Sequence, residues 1–473
     1  MSAALVRKDS LNLRRESLLT ILLVVLVGLI AVSLATGLQR ERVFAKERSE
    51  AEQTDKDVWM GQGDRNPHSA AHFSRYAFRP ASPLALLDPG TNDFAGIAVW
   101  MEAHYQDPAV FRRAEDGGEL SRDALLSPAF LLLTAAPLLV FLMLHASVAG
   151  EREDGTLRQL LATGVSSGQF FSGKLRAGFQ VTMLVYTPLF AVLAAFSLLT
   201  TPAEANGDTV ARLLAMYLVY VLYLTACIAV AIGVSAMFGT RQAAFLALAG
   251  IWALMAILMP RLASDFGTTV YPQPEARIVS ENLSAAAGAW YADEGRQERI
   301  QRAVLEQYGV SELDDLPINW GAYRLQASEE LSNPEFDRVY DDLSRRYRAQ
   351  ESVVRWFSIL SPVIPAANLS RGVAGTDREH QREFTVAAEL HRRDMIKLLN
   401  EDYMLNAGQA GAAYTADAGL WSRFEDFTYE PPSLSSVAGR YIPDGVLLLL
   451  WVGIAMSAAN WSVRRAIQGE VTA

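Results

Sequence analysis

Six long stretches of this 473-residue chain contain no Asp, Glu, Lys or Arg, and they constrain its fold more than any other feature. Each is about as long as the roughly 20 residues that a helix needs to cross the hydrocarbon core of a bilayer. None shows the alternation of apolar and polar residues that barrel strands require, so helices must satisfy the backbone hydrogen bonds there. The sequence therefore predicts an all-α polytopic membrane protein with six transmembrane helices. The six stretches are residues 17–38, 124–148, 177–200, 213–238, 243–260 and 445–463.

Basic side chains predict how the spans are oriented. Near the span ends, Lys and Arg concentrate in the leader 1–16, in segment 149–176, in the turn 239–242 and in the tail 464–473. The positive-inside rule places these parts, and both termini with them, in the cytoplasm. Because stretch 17–38 is longer than the apolar core of a signal peptide and no Ala-x-Ala site follows, we expect a retained anchor. The opposite side then holds segments 39–123, 201–212 and 261–444.

The two large outer segments are predicted to form a mainly helical periplasmic domain. The charged residues after the first span continue its helix as a stalk, and Asn333-Pro334 predicts the start of another helix. A capping box at 376–379 predicts a further helix, which Gly408 ends. The only cysteine, Cys227, lies in the fourth span, so these segments fold without disulfides.

Segment 150–175 is a short, charged stretch between the second and third spans. Glu151 and Glu153 stand just before a predicted helix start, where carboxylates interact favourably with the helix dipole. Gly155 permits a turn, and from Thr156 to Ala162 the pattern predicts a short helix. A segment this short cannot form a domain of its own, so we expect it to act as a surface element of the membrane bundle.

The predicted short helix is amphipathic. Its apolar face consists of Leu157, Leu160 and Leu161. An interfacial helix that only caps the spans is the alternative to a docking helix. The polar residues expected to face a partner or lipid headgroups are Arg158, Gln159 and Lys174.

Residues 168–174 fit the Gly-x4-Gly-Lys skeleton of a phosphate-binding loop, but the rest of that motif is missing. A Ser or Thr should follow Lys174 to hold magnesium, and a strand should precede the loop. Leu175 follows instead, and the preceding residues show no strand pattern. The sequence thus predicts no ATPase site in this chain.

Two outer histidines have a spacing that can chelate a metal. His68 and His72 are four residues apart on a predicted helix, so both rings lie on one face. Spacing identifies no third ligand. We therefore expect structural roles for these histidines, and we predict no metal or other cofactor bound by this chain.

Polar side chains within the predicted spans are the remaining candidates for function, because such groups are costly in a membrane. His145 lies near the inner end of the second span, where its ring can reach water. Tyr217, Tyr220 and Tyr223 form a stripe along the fourth span. These residues are candidates for a substrate path, with helix packing or a lipid-facing aromatic belt as the alternative.

The pattern Glu151-Arg-Glu-x-Gly-Thr-Leu-x-x-Leu-Leu, followed by Ser and then Gly-Lys, resembles the coupling region of type-2 ABC transporter permeases. The outer segments carry further motifs, His72-Phe-x-x-Tyr-Ala-Phe-x-Pro, Leu-Asp-Pro-Gly90, Glu102-Ala-His104 and Ala374-Gly-Thr-Asp, the last followed by Ala-Glu, Arg-Arg and Leu-Asn pairs. These resemble an uncharacterised bacterial family of such permeases, which has large insertions after the first and fifth spans.

The resemblance implies a permease subunit in a bacterial inner membrane, with a bias toward export. It implies a separate ABC ATPase that binds ATP and magnesium, a second permease copy or a sister permease, and a surrounding lipid bilayer. A periplasmic partner is a further candidate. The residues that the resemblance assigns to ATPase coupling are Glu151, Glu153, Gly155, Thr156, Leu157, Arg158, Leu160 and Leu161.

Other functions remain as alternatives or are excluded. A mechanotransmitter would relay ATP-driven motion to periplasmic partners without moving cargo through its spans. A membrane-anchored periplasmic enzyme lacks support, because the sequence has no Gly-x-Ser-x-Gly elbow and no His-Glu-x-x-His helix. The net charge of −10 and the lack of a basic stripe argue against a nucleic-acid partner.

Overall fold

A computed structural model describes residues 2–15, 17–73, 75–116, 126–200, 206–293 and 295–472 of the chain. Within these residues six helices are long and apolar enough to cross a membrane, and the only sheet has two short strands. The predicted all-α polytopic fold is therefore confirmed. Residues 201–205 of the loop predicted at 201–212 and the start of the predicted second span, at 124–125, lie outside the described residues.

The elements from the N-terminus to the fourth span are α1 (Ser2–Arg15), α2 (Ser17–Met60), α3 (Pro67–Ala71), β1 (Arg75–Phe78), β2 (Ala98–Met101), α4 (Arg113–Asp116), α5 (Pro128–Leu144), α6 (Ala149–Glu153), α7 (Thr156–Ala162), α8 (Ser167–Thr200) and α9 (Asn206–Met237). Those from the fifth span onward are α10 (Arg241–Trp252), α11 (Met259–Val270), α12 (Ala276–Ala287), α13 (Arg296–Tyr308), α14 (Trp320–Trp356), α15 (Val363–Ala374), α16 (Arg378–Asn406), α17 (Ala418–Trp421), α18 (Leu434–Val437) and α19 (Ile442–Thr472). A π-helical segment, Ala253–Leu258, joins α10 to α11. Short 3-10 turns lie at Ala289–Ala292, Leu313–Asp315, Phe357–Ile359, Gly408–Ala413 and Ala438–Tyr441.

Helix α9 is the centre of the membrane bundle. It contacts α5, α8, α15 and α19, and most residues of its middle are buried. The contact with α19 is close because Gly233 faces the backbone of Ala459, where an added Cβ would lie 3.0 Å from the Ala459 Cα. Small residues at such contacts let transmembrane helices gain van der Waals packing, which drives their association in lipid.

The outer segments fold together as one unit, which we call the outer domain (described residues 39–116 and 271–441). The predicted stalk is confirmed, since α2 runs without a break to Met60. At its end, Trp59 is buried and its Nε1 donates to the Trp421 carbonyl oxygen at 3.1 Å. The strands β1 and β2 pair antiparallel, with Arg75 opposite Met101. The distant halves of the outer chain therefore share one apolar core.

Helix α15 joins the outer domain to the span bundle, although no sequence pattern indicates it. Nearly all of its residues are buried, and it contacts α5, α9 and α19. The Ser370 hydroxyl donates to Asp88 at 2.6 Å, and because this uses its only proton, it accepts from the Tyr220 hydroxyl at 3.0 Å. Gly375 ends the helix with a φ of 72°, which a residue with a Cβ rarely adopts.

Two predicted helix starts in the outer domain are wrong. The helix expected to begin at Asn333-Pro334 begins at Trp320, after Asn319 caps it, and Pro334 lies inside it. A proline removes one helical hydrogen bond, but α14 packs against α11, α12 and α16 along its length, and this packing outweighs the loss. The capping residue of α16 is Asp377 rather than Thr376, and it accepts from the His380 amide.

The docking of α15 can be tested at Gly372. A Cβ added there would lie 2.2 Å from the Tyr441 ring, so Gly372→Ala must displace a side chain whose hydroxyl donates to Asp377. We expect a destabilisation of about 1–3 kcal/mol, seen as earlier thermal unfolding in detergent. Gly439→Ala is the control, because nothing lies within 4 Å of its added Cβ. Equal unfolding temperatures for the two variants would contradict this packing.

Candidate functional site

Segment 149–166, which we call the connector, consists of two short helices with tight turns between α5 and α8. Helix α6 ends at Glu153, and Gly155 turns the chain into α7 with a φ of 70°. Gly164, with a φ of 80°, makes the turn that leads to α8. Both conformations favour glycine, since a Cβ makes them strained. The predicted helix from Thr156 to Ala162 is confirmed as α7.

The start of the connector is fixed to the central helix α9. The Ser235 hydroxyl accepts from the backbone amides of Val148 and Ala149, both at 3.0 Å, and donates to the His145 carbonyl oxygen at 2.6 Å. These bonds satisfy the free backbone groups between α5 and α6. A displacement of α6 must therefore act on α9.

A buried ion network fixes the connector to α1 and α8. Glu151 Oε1 lies 2.8 Å from Lys8 Nζ and 3.0 Å from Lys174 Nζ, and Lys174 Nζ lies 3.1 Å from Asp9 Oδ1. The side chains of Lys174 and Asp9 are only 5% and 9% exposed. The expectation that Lys174 faces a partner or lipid headgroups is therefore wrong, because α1 covers it and supplies its counter-charge.

The C-terminal helix and the α9–α10 turn complete this end of the bundle, which we call the inner end. Glu470 near the end of α19 lies 3.2 Å from Arg152 and 2.9 Å from Arg158. The Arg241 amide donates to Glu153 at 2.9 Å, and its guanidinium contacts Asp154. The four basic parts predicted to share one side thus meet in the structure. That this side is the cytoplasm stays a prediction.

The leucine face of α7 points into the bundle. Leu157 is fully buried, and Leu160 and Leu161 pack against the same membrane core. The resemblance assigns these leucines to ATPase coupling, but in the structure the chain's own spans cover them. The exposed residues of the connector are instead Glu153, Asp154, Gly155, Arg158, Gln159, Ala162, Thr163, Gly164 and Ser166.

The tyrosine stripe in the fourth span lies among packed helices. Tyr220 and Tyr223 are buried, and the Tyr223 hydroxyl donates to the Leu133 carbonyl oxygen at 2.8 Å. The half-buried Tyr217 stacks on Tyr186, with ring centroids 5.3 Å apart. These contacts are those of helix packing. A role for the stripe in a substrate path stays a prediction.

His145 caps α5 at the inner end of the bundle. Its Nδ1 lies 2.7 Å from the Leu142 carbonyl oxygen, and its ring contacts Phe245 edge to face. Both contacts orient the ring within the helix turn. A role for His145 in a substrate path stays a prediction, as it does for the tyrosines.

The outer domain brings a third histidine to the predicted pair. One ring nitrogen each of His68, His72 and His104 lies within 4.8 Å of the others. Burial lowers the pKa of His68 from its usual range to about 4, and the neighbouring His104 and His72 act in the same direction. Burial also lowers the pKa of His72. Sequence spacing could not identify His104, because only the pairing of β1 with β2 brings this residue close to His68 and His72. Its place in the Glu102-Ala-His104 motif was the available sequence signal.

Two family models match the chain. The model described as ABC-2 family transporter protein matches residues 110–267, which include the connector, and that of a domain of unknown function, DUF3526, matches residues 280–430 of the outer domain. No curated protein and no solved structure shows significant similarity. The matches confirm the resemblance to type-2 ABC permeases.

The ion network at the inner end can be tested at Lys174. Lys174→Met leaves the buried Asp9 carboxylate without its counter-charge, which costs about 3–5 kcal/mol where a buried pair is broken. We expect a clearly lower thermal unfolding temperature in detergent, and partial recovery when Asp9→Asn is added. Arg176→Met, at an exposed position on the same helix, is the control. A Lys174→Met variant as stable as the control would contradict the network.

Proposed function

We propose that this chain, a multi-pass membrane protein with the permease domain of an ABC transporter, exports its cargo under the drive of a separate ATPase that docks on the connector. The observation that carries this proposal is the position of the connector. It is a short surface element whose start and side chains bind α1, α9 and α19 at once. A force applied there acts on several spans, as an ATP-driven permease requires.

The docking face that we propose is the exposed side of the connector rather than its leucines. Arg158, Gln159 and Ala162 lie on this side of α7, and Glu153 and Asp154 precede it. Leu157, Leu160 and Leu161 transmit the push instead, because they pack against the membrane core beneath. Of the eight residues assigned to coupling by resemblance, Glu153 and Arg158 thus belong to a contacting group and the three leucines to a transmitting group.

The rest of the assembly follows from the same proposal. ATP and magnesium bind the partner ATPase, and a second permease copy or a sister permease supplies the other half of the translocation unit. The inner end faces the cytoplasm of a bacterial cell, with both termini there, and the outer domain lies in the periplasm. The basic residues collected at the inner end support this orientation.

One observation favours the second candidate function, that of a mechanotransmitter. Within the described residues, α15 fills the outer end of the bundle and joins α9 to the outer domain through the Tyr220–Ser370–Asp88 hydrogen bonds. Motion of α9 would then reach the outer domain directly. An experiment with vesicles that contain the permease and its ATPase distinguishes the two functions. A permease moves labelled cargo upon ATP addition, whereas a relay hydrolyses ATP faster only when a periplasmic partner is present.

The docking face can be tested at Ala162. Ala162→Arg places a long charged side chain on the exposed side of α7, and we expect at least about tenfold less ABC ATPase to co-purify with the tagged chain from native membranes. Quantitative mass spectrometry measures the bound ATPase. The thermal unfolding temperature should not change, because the position is exposed.

The matched control is Ala285→Arg, the same change at an exposed alanine of α12 in the outer domain. It should retain the ATPase at the level of the unchanged chain. Equal recovery with both variants would refute the docking face.

A further inference from the structure

Three imidazole rings of the outer domain meet at one point. Helix α3 begins after Asn66, whose side chain accepts from the His68 amide, and its single turn places His68 and His72 on one face. His104 follows strand β2 and completes the group. The ring centroids are 4.9 Å apart for His68 and His72, 5.0 Å for His68 and His104, and 5.3 Å for His72 and His104.

The ring nitrogens are spaced as metal ligands are. The Nε2 atoms of His68 and His104 are 3.4 Å apart. Two imidazole nitrogens at the usual Zn–N distance of about 2.0–2.1 Å in a tetrahedral site are roughly 3.3 Å apart. A small movement of the exposed His72 ring would bring the third nitrogen to the same distance.

A buried carboxylate orients His104. Glu329 Oε1 lies 2.6 Å from His104 Nδ1 and accepts from the His104 amide at 2.7 Å. His104 has a φ of 66°, a strained conformation for histidine. This conformation lets its backbone amide and its Nδ1 both reach Glu329 Oε1. With its Nδ1 proton held by Glu329, the His104 ring presents the lone pair of Nε2 to the cluster. Metal-binding histidines are commonly held by a carboxylate in this way.

The carboxylate that orients His104 is itself held in place. Glu329 and Arg392 are both buried, and Arg392 Nη1 lies 3.5 Å from Glu329 Oε2 while its other nitrogens bind Glu389. The buried atoms His68 Nδ1 and Asn400 Oδ1 make no hydrogen bond with any described residue, although the Asn400 side chain acts to raise the pKa of His68. A proton on His68 Nδ1 leaves its Nε2 free to bind a metal.

We propose that His68, His72 and His104 form a binding site for a divalent transition metal ion of the Zn²⁺ type, with Glu329 as the residue that positions His104. Three imidazole nitrogens suit Zn²⁺ and similar ions, and they bind Mg²⁺ or Ca²⁺ poorly. Because His72 is exposed, a fourth position faces solvent and accepts water or an exchangeable ligand. The site does not depend on the transport function proposed above.

The site would join the two outer segments of the chain. All three ligands belong to the segment before the second span, whereas Glu329, Arg392 and Asn400 belong to α14 and α16 after the fifth span. A bound ion would therefore stabilise the packing of the outer domain. The alternative is a cluster of neutral histidines that only hydrogen bond with each other, as the His68–His104 distance also permits.

Metal titration of the full chain in detergent tests the site. The chain is prepared without a polyhistidine tag, stripped with a chelator, and titrated with Zn²⁺ in competition with a chromophoric chelator. We expect one tightly bound ion per chain, a higher thermal unfolding temperature with Zn²⁺, and visible absorption bands when Co²⁺ replaces it. His72→Gln should lower the Zn²⁺ affinity at least about tenfold without changing the stability of the metal-free chain, since the ring is exposed.

Two further variants separate a built site from surface binding. His391→Gln is the matched control, because that histidine lies in the same domain but packs on Phe424, away from the cluster, and it should bind Zn²⁺ as the unchanged chain does. Glu329→Gln should weaken binding about 10–100-fold while leaving one ion per chain at saturation. Several weak ions, no bound ion, or an affinity that is equal in the unchanged chain and His72→Gln would each overturn the proposal.

Discussion

The burial of α9 among its neighbours is the packing on which the rest of the structure depends. Gly233 lets α19 approach closely, and Ser235 near the inner end holds the start of the connector. At the outer end the fully buried Arg212 donates to the carbonyl oxygens of Val373 and Pro432. A buried arginine in this position must be fully paired, so α9, α15 and the chain before α18 are held in one arrangement.

Much of the fold could be predicted from the sequence, because a bilayer imposes strict rules on the chain that crosses it. Absence of charge over about 20 residues is sufficient to predict a span, and the glycines at 155 and 164 were sufficient to predict where α7 lies. The rest depends on contacts between distant segments. Helix α15 is too short to be recognised as a separate apolar element, and Pro334 lies inside α14 only because other helices pack along it.

The candidate sites likewise combine features that the sequence predicts with features that only the fold shows. The sequence predicted a helical connector with an apolar face, but only the fold shows that Leu157 is buried and that Lys174 is paired with Asp9 of α1. It predicted that His68 and His72 share a face. It could not predict that a strand pair returns His104 to them, nor that Glu329 holds that ring, because these residues are far apart in the chain.

The two sites lie at opposite ends of one series of packed helices. The connector is bonded to α9, α9 packs on α15, and α15 is followed after a two-residue turn and a capping residue by α16, which carries Arg392 and Asn400 beside the histidines. Spatial continuity is not coupling by itself. Coupling requires an element with two arrangements, and events at each site must shift the equilibrium between these arrangements. If ATP-driven motion shifts α15 against α9, the distance between α16 and α3 is the quantity that changes at the cluster. Thermodynamic linkage then requires two factors to be equal. One is the ratio of the metal affinities of the two states, and the other is the factor by which bound metal shifts the equilibrium between these states.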